Sequence, residues 1–132
     1  MPPRDRVRPA GRRQSVDAIA LSNHGGRQLD GAPSPLDLVG RVRDVIGDGA
    51  EIYCDGGIRR GSDVVKAIAL GATAGMIGRA YLYGLGAAGE RGVTWVLDHI
   101  ESEARRVLSL LGRASIAELD RDAIEIAPGA RR

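Results

Sequence analysis

Three times along this chain a short apolar run gives way to a glycine-bearing loop. Each time a longer stretch follows, with apolar residues three and four apart. The first run, Ala18-Ile19-Ala20-Leu21, predicts a buried strand over about residues 17–21. A loop from Ser22 to about Pro33 leads to a helix with Ser34 as N-cap, Pro35 at the first helical position and Asp37 in the first turn. Leu36, Val39, Val42, Val45 and Ile46 recur at helical spacing, and Gly47 stops the run. The second cycle has a strand at 51–54. Its helix opens at Gly61 or Ser62, carries Val64, Val65, Ile68, Ala69 and Leu70, and stops at Gly71. A third strand is expected at about 72–77, then a short helix near 81–85 and a long one at about 93–111. The long helix carries Val96, Leu97, Ile100, Ala104, Val107, Leu108 and Leu111 on one face. Ser115-Ile116-Ala117-Glu118 reads as a capping box for a last short helix. This alternation predicts an α/β fold: βα units on a parallel sheet, with right-handed crossovers and helices on one side.

Residues 1–15 show neither periodicity and read as a disordered basic leader, with the folded region at 16–127 and a tail at 128–132. Five arginines against one aspartate in the first 13 residues account for the formal charge of +2, so the remainder is slightly acidic. No aromatic side chain is interleaved with these arginines, which argues against nucleic acid as a partner. The 132 residues allow one domain at most, and the absence of Phe makes its core aliphatic. No apolar run is long enough for an integral membrane segment. The single cysteine, Cys54, excludes an internal disulfide, and no signal-peptide pattern is present, so the cytoplasm is the expected location.

The loops carry the chemistry. Ser22-Asn23-His24-Gly25-Gly26-Arg27-Gln28-Leu29-Asp30 follows the first strand. A histidine there suits general-base work, and an arginine three residues on suits a bidentate carboxylate clamp. Either residue alone is more often a surface group; the joint string is far more specific. The second strand ends in Asp55-Gly56-Gly57-Ile58-Arg59-Arg60-Gly61, and the third in Gly78-Arg79. Glycines let the backbone approach a phosphate, helix-start N–H groups point at it, and arginine adds charge. A lone glycine pair would be only a tight turn, with Arg60 and Lys66 as surface charges. The bland reading is kept for the rest: Cys54 as a core residue, Tyr81, Tyr83 and Trp95 as helix packing. His99 reads as an exposed structural residue, without the partners of a metal site.

Together these strings resemble the C-terminal part of the FMN-dependent α-hydroxy-acid dehydrogenases and oxidases, over residues 17–126. IMP dehydrogenases carry a similar phosphate string, so that string alone indicates a flavin or nucleotide barrel; the His24/Arg27 loop selects the hydroxy-acid family. The resemblance implies the last three βα units of a (β/α)₈ TIM barrel. It implies FMN as cofactor and a small 2-hydroxy acid such as lactate or glycolate as substrate. It also implies His24 as the catalytic base, Arg27 on the substrate carboxylate, and FMN contacts at Asp55, Gly56, Gly57, Ile58, Arg59, Gly78 and Arg79. It names no electron acceptor and leaves a homo-oligomer open. The earlier strands of the family barrel have no counterpart here. With them go the lysine near the flavin, the aspartate that pairs with the histidine, and the substrate-holding tyrosines. The chain is therefore expected to be a fragment and a poor catalyst alone. Two alternatives stand beside this reading. One is a non-catalytic remnant. The other is a piece of a mycofactocin-type flavoprotein acting on a modified peptide, suggested by residues 76–85 and by Pro128-Gly129.

Overall fold

The structure, a computed structural model, describes residues 16–125; the expected leader at 1–15 and tail at 128–132 lie outside it. Its elements are β1 (Ala18–Ser22), α1 (Pro35–Ile46), β2 (Glu51–Asp55), α2 (Gly61–Ala69), β3 (Ala74–Met76) and α3 (Arg79–Leu110). The strands form one parallel sheet in the order β1-β2-β3. Register runs from Ala18↔Glu51 to Ser22↔Asp55, and from Tyr53↔Ala74 to Asp55↔Met76. This is the expected α/β arrangement of parallel βα units.

Alternation along β2 decides which face is covered. Ile52 and Cys54 are completely buried, whereas Glu51 is exposed and Tyr53 and Asp55 are half-buried on the other face. The buried face packs with Val39 of α1, Ile58 of the following loop, Ala67 and Leu70 of the α2 region, and Ala72. Each fully buried Ile or Val side chain contributes roughly 1.5–3 kcal/mol relative to exposure. Arg43 ties the opposite edge together. Its Nε and Nη2 donate to Gly71 O (3.0 and 2.9 Å) and its Nη1 to Ala50 O (3.1 Å), joining α1 to the loops before β2 and β3. Helical periodicity marked Arg43 only as a polar position.

The start of α2 lies against α3 so closely that a Cβ at Gly61 would sit 2.1 Å from Ala104 N. The two expected C-terminal helices form one element, α3, broken at Ala88 and Gly89. Beside the break, a Cβ at Gly92 would fall 1.9 Å from Gly84 O, so the two halves meet backbone to backbone.

Four expectations change in detail. β3 is shorter than 72–77, because Ala72 N–H donates to Ala67 O (2.9 Å) and so closes α2 instead of opening the strand. The 115–118 string forms a 3₁₀ turn, Ile116–Glu118, and not a capping box. Glu118 Oε2 accepts from the N–H of Ala114, one residue before the N-cap (3.0 Å), and the Ser115 side chain makes no cap bond. Tyr81, Tyr83 and Trp95 are 37%, 75% and 65% exposed, so within 16–125 they stay outside the core, although the Trp95 ring stacks on His99 one turn along α3 (centroids 5.1 Å). Leu97 and Leu111 also leave the predicted apolar face, because α3 turns only its Val96, Ile100, Ala104, Val107 and Leu108 side inward.

Candidate active site

Parallel strands put the three chemically suggestive loops at one edge, and three contacts tie them together. Ser22 Oγ donates to Asp55 Oδ2 (2.7 Å), joining the ends of β1 and β2. Asn23 Oδ1 lies 3.0 Å from where a Cβ on Gly56 would stand. The Arg79 guanidinium lies 2.9 Å from where a Cβ on Gly25 would stand, so the third loop leans across the first. Gly25 has φ +64°, and only glycine meets both that backbone and that approach without strain.

His24 sits in the left-handed region at φ +54°, alone among the described non-glycine residues. Local polar bonds hold it there. Its N–H donates to Ser22 Oγ (3.1 Å), and the next N–H, of Gly25, donates to Asn23 Oδ1 (3.0 Å). Gln28 Nε2 lies 3.4 Å from the ring Nδ1. Residues 24–26 form a 3₁₀ turn, and Arg27 closes it with its N–H on His24 O (3.3 Å). The resulting open concavity, about 560 Å³, is lined by Ser22, Asn23, His24, Gln28, Leu29, Ala32 and Asp55. Arg27 is exposed and outside that lining.

The second loop is pinned from beneath. Asp63 Oδ2 accepts the N–H groups of Arg59 and Arg60 (3.0 Å each), and Glu103 Oε2 of α3 accepts that of Gly61 (3.0 Å). Those N–H groups are therefore already engaged by carboxylates. Ile58 turns its side chain into the core at 4% exposure, leaving only its backbone to face the edge. Gly57, at φ +79°, and Gly78 have no atom within 4 Å of a would-be Cβ. Gly78 precedes the first turn of α3, whose leading N–H groups lack intrahelical partners. Arg59 and Arg79 are exposed, and among the described residues neither is in an ion pair. Open glycines, a helix start and two uncommitted guanidiniums form a donor set suited to a phosphate group.

The model of the FMN-dependent dehydrogenases matches residues 8–126. The chain belongs to the FMN-dependent dehydrogenase family. FMN is the cofactor of that family, and the phosphate-suited donors above fit it. Among curated FMN-dependent dehydrogenase relatives, pre-mycofactocin synthase of Mycolicibacterium smegmatis is 50% identical over 117 residues, 89% of this chain and 29% of its own length. L-lactate dehydrogenase of Chromohalobacter salexigens is 46% identical over 112 residues, 85% of this chain and 29% of its own. Among solved structures, a flavocytochrome b2 variant with sulfite bound superposes with a TM-score of 0.82 at 37% identity, over 86% of this chain and 31% of the other. The chain thus spans about a third or less of these FMN-dependent dehydrogenases, and its three βα units correspond to part of their TIM barrel.

Every candidate site residue named from the sequence lies on the three loops at this edge; of them His24 and Asp55 line the concavity, Arg27 stands outside it, and the Ile58 side chain turns into the core. Ser22, Asn23 and Gln28 were inside the same string, but nothing in the pattern separated them from ordinary loop polar residues. Glu103 had no sequence signal at all, because its partner Gly61 is 42 positions away.

Proposed function

We propose that this chain carries the acid–base and phosphate-binding part of an FMN-dependent oxidoreductase that converts a 2-hydroxy acid, of lactate or glycolate type, to the 2-oxo acid. The observation that carries it is the convergence of the His24, Asp55–Gly57 and Gly78–Arg79 loops at one strand edge. In this reading His24 takes the proton of the substrate hydroxyl, and its ring can return it because imidazole titrates near working pH. Arg27 holds the substrate carboxylate as a two-pronged donor. Asp55, Gly56, Gly57, the Ile58 backbone, Arg59, Gly78 and Arg79 hold the FMN. When bound, the flavin accepts the two electrons leaving the substrate carbon. The reading includes a cytoplasmic location and an association that covers the exposed sheet face. Among the described residues no helix is long and apolar enough to cross a membrane.

One observation favours a second reading, action on a modified peptide. Identity to the two pre-mycofactocin synthase sequences of Mycobacterium tuberculosis reaches 54%, above the 46% to the Chromohalobacter lactate dehydrogenase. Arg27 keeps the carboxylate substrate first.

The test is flavin titration of the purified 132-residue chain, FMN beside riboflavin. FMN is expected to bind more tightly than riboflavin, and Arg59→Gln together with Arg79→Gln is expected to erase that difference. Equal binding of the two flavins would refute the phosphate assignment. Anaerobic bleaching of bound flavin by L-lactate or glycolate, lost in His24→Ala, tests the reaction. Binding without any bleaching, under conditions where the peptide substrate bleaches, would replace the first reading by the second.

A further inference from the structure

We infer that Glu103 is a positioning residue of the phosphate cradle: reaching from α3 to the start of α2, it holds the Arg59 loop in register with Arg79. The inference rests on the reading of Gly57, Arg59, Gly78 and Arg79 as a phosphate site. Around this point α3 is a charged surface helix, with Glu101, Arg105 and Arg106 exposed. Glu103 differs. It stands on the inward side with Ile100, Ala104 and Val107, and its side chain is 26% exposed against 63% for Glu101. A carboxylate turned toward an apolar packing face is costly unless a donor meets it there. The donor is the Gly61 N–H, 3.0 Å from Oε2. The other oxygen lies 3.7 Å from Nε2 of His99, whose ring stacks on Trp95.

The bond falls at a junction with no slack. A Cβ on Gly61 would stand 2.1 Å from Ala104 N, so α2 begins in direct contact with the backbone of α3. The Gly61 N–H belongs to the first turn of α2, where no intrahelical acceptor exists, and a carboxylate there also meets the positive end of the helix dipole. The two preceding N–H groups, of Arg59 and Arg60, go to Asp63. These two carboxylates do different things. Asp63 is part of α2, so its bonds fix the loop only to its own helix. Glu103 is part of α3, and α3 begins at Arg79. The break at Ala88 and Gly89 does not uncouple the two ends, because Gly84 and Gly92 meet backbone to backbone across it. Arg79 and the Glu103 carboxylate are thus two points on one body, and the Gly61 bond ties to that body the loop that carries Arg59. Two guanidiniums on separate loops hold one phosphate best when their spacing is set before it arrives.

The experiment uses three substitutions in the 132-residue chain, with FMN and riboflavin titrated side by side. Glu103→Gln keeps an acceptor at the same reach without the charge. Glu103→Asp keeps the charge but falls one methylene short. Glu103→Ala removes both. The Asp and Ala variants are expected to lower the preference for FMN over riboflavin about three- to tenfold, the range for one hydrogen bond. Riboflavin affinity should stay at the parent level, and the Gln variant should keep the preference. Should Glu103→Ala fail to fold, the Asp and Gln pair decides. Equal loss of both flavins, or an unchanged preference in the Asp variant, would overturn the inference. So would a stronger preference in all three, which would make the carboxylate a charge that repels the phosphate. Amide hydrogen exchange without flavin gives a reading independent of the ligand. Glu103→Asp is expected to speed exchange at Arg59 and Arg60 as well as at Gly61. Faster exchange at Gly61 alone would overturn the inference and leave Glu103 a helix cap. A parent chain that binds both flavins alike would sink the phosphate reading, and the exchange result would still decide whether Glu103 holds the loop.

Discussion

The loop after β1 and the loop after β2 stand side by side at one edge but are built in opposite ways. The first is exposed at nearly every residue from Ser22 to Gly31 and is held by bonds among its own side chains and backbone. The second has Ile58 in the core, Asp63 beneath its N–H groups, and Gly61 against the backbone of α3. A phosphate is a fixed shape, so a cradle gains by being preorganised on packed elements. A group that exchanges protons gains by being reachable. Damage to the second loop should therefore be read mainly as lost stability, and damage to the first mainly as lost chemistry.

The strongest way to break the second loop is Gly61→Ala. Its Cβ meets Ala104 N at 2.1 Å and Ile100 O at 2.5 Å, both backbone, so α2 must move off α3. A loss of about 3 kcal/mol or more in urea unfolding is expected, the upper end for overpacking. A loss below about 1 kcal/mol would mean that the helices slide apart freely.

Gly25→Ala is the matching blow to the first loop. It combines a left-handed backbone at φ +64° with a contact on the flexible Arg79 side chain, which can shift. About 1–2 kcal/mol is expected from the backbone alone. FMN affinity should fall with it, because Arg79 is displaced. Equal loss of FMN and riboflavin binding would show that Arg79 does not serve the phosphate.

A pH series probes the scaffold under the second loop. Burial, helped by the Asp55 carboxylate, raises the Cys54 thiol above its ordinary 9.0. The folded chain then holds that proton more tightly than the unfolded one. Stability from the neutral thiol is complete below the unfolded value and is lost as pH climbs through the folded value. The gap between the urea midpoints of the parent and Cys54→Ala should therefore be constant below the ordinary thiol value of 9.0 and narrow as pH rises above it. A gap that stays constant above it as well would mean that the thiol ionises alike in both states.

The smallest effect is expected away from both loops. Glu101 and Arg105 on α3 form a 2.6 Å ion pair, but both are well over half exposed. Glu101→Gln should cost no more than about 0.5 kcal/mol, and salt should reduce even that. A larger loss would show that α3 leans on surface charge more than on its contact with α2.

Much of this molecule was legible before any coordinates. Short β-rich runs, the Ser34-Pro35 helix start and the glycine stops announced the βα units, because helix and strand signals are local in the chain. The His24 and Asp55–Gly57 strings announced the family, because such chemistry needs those residue types at those spacings. Only the tertiary structure decided the rest. It laid Arg79 over Gly25 and hydrogen-bonded Ser22 to Asp55 33 positions away. It put Glu103 under Gly61, sent the Ile58 side chain inward, and left Tyr83 and Trp95 outside. The reason is physical. Periodicity says which side of an element is apolar, but which neighbour arrives on that side, and how near, depends on crossings between elements that no local pattern encodes.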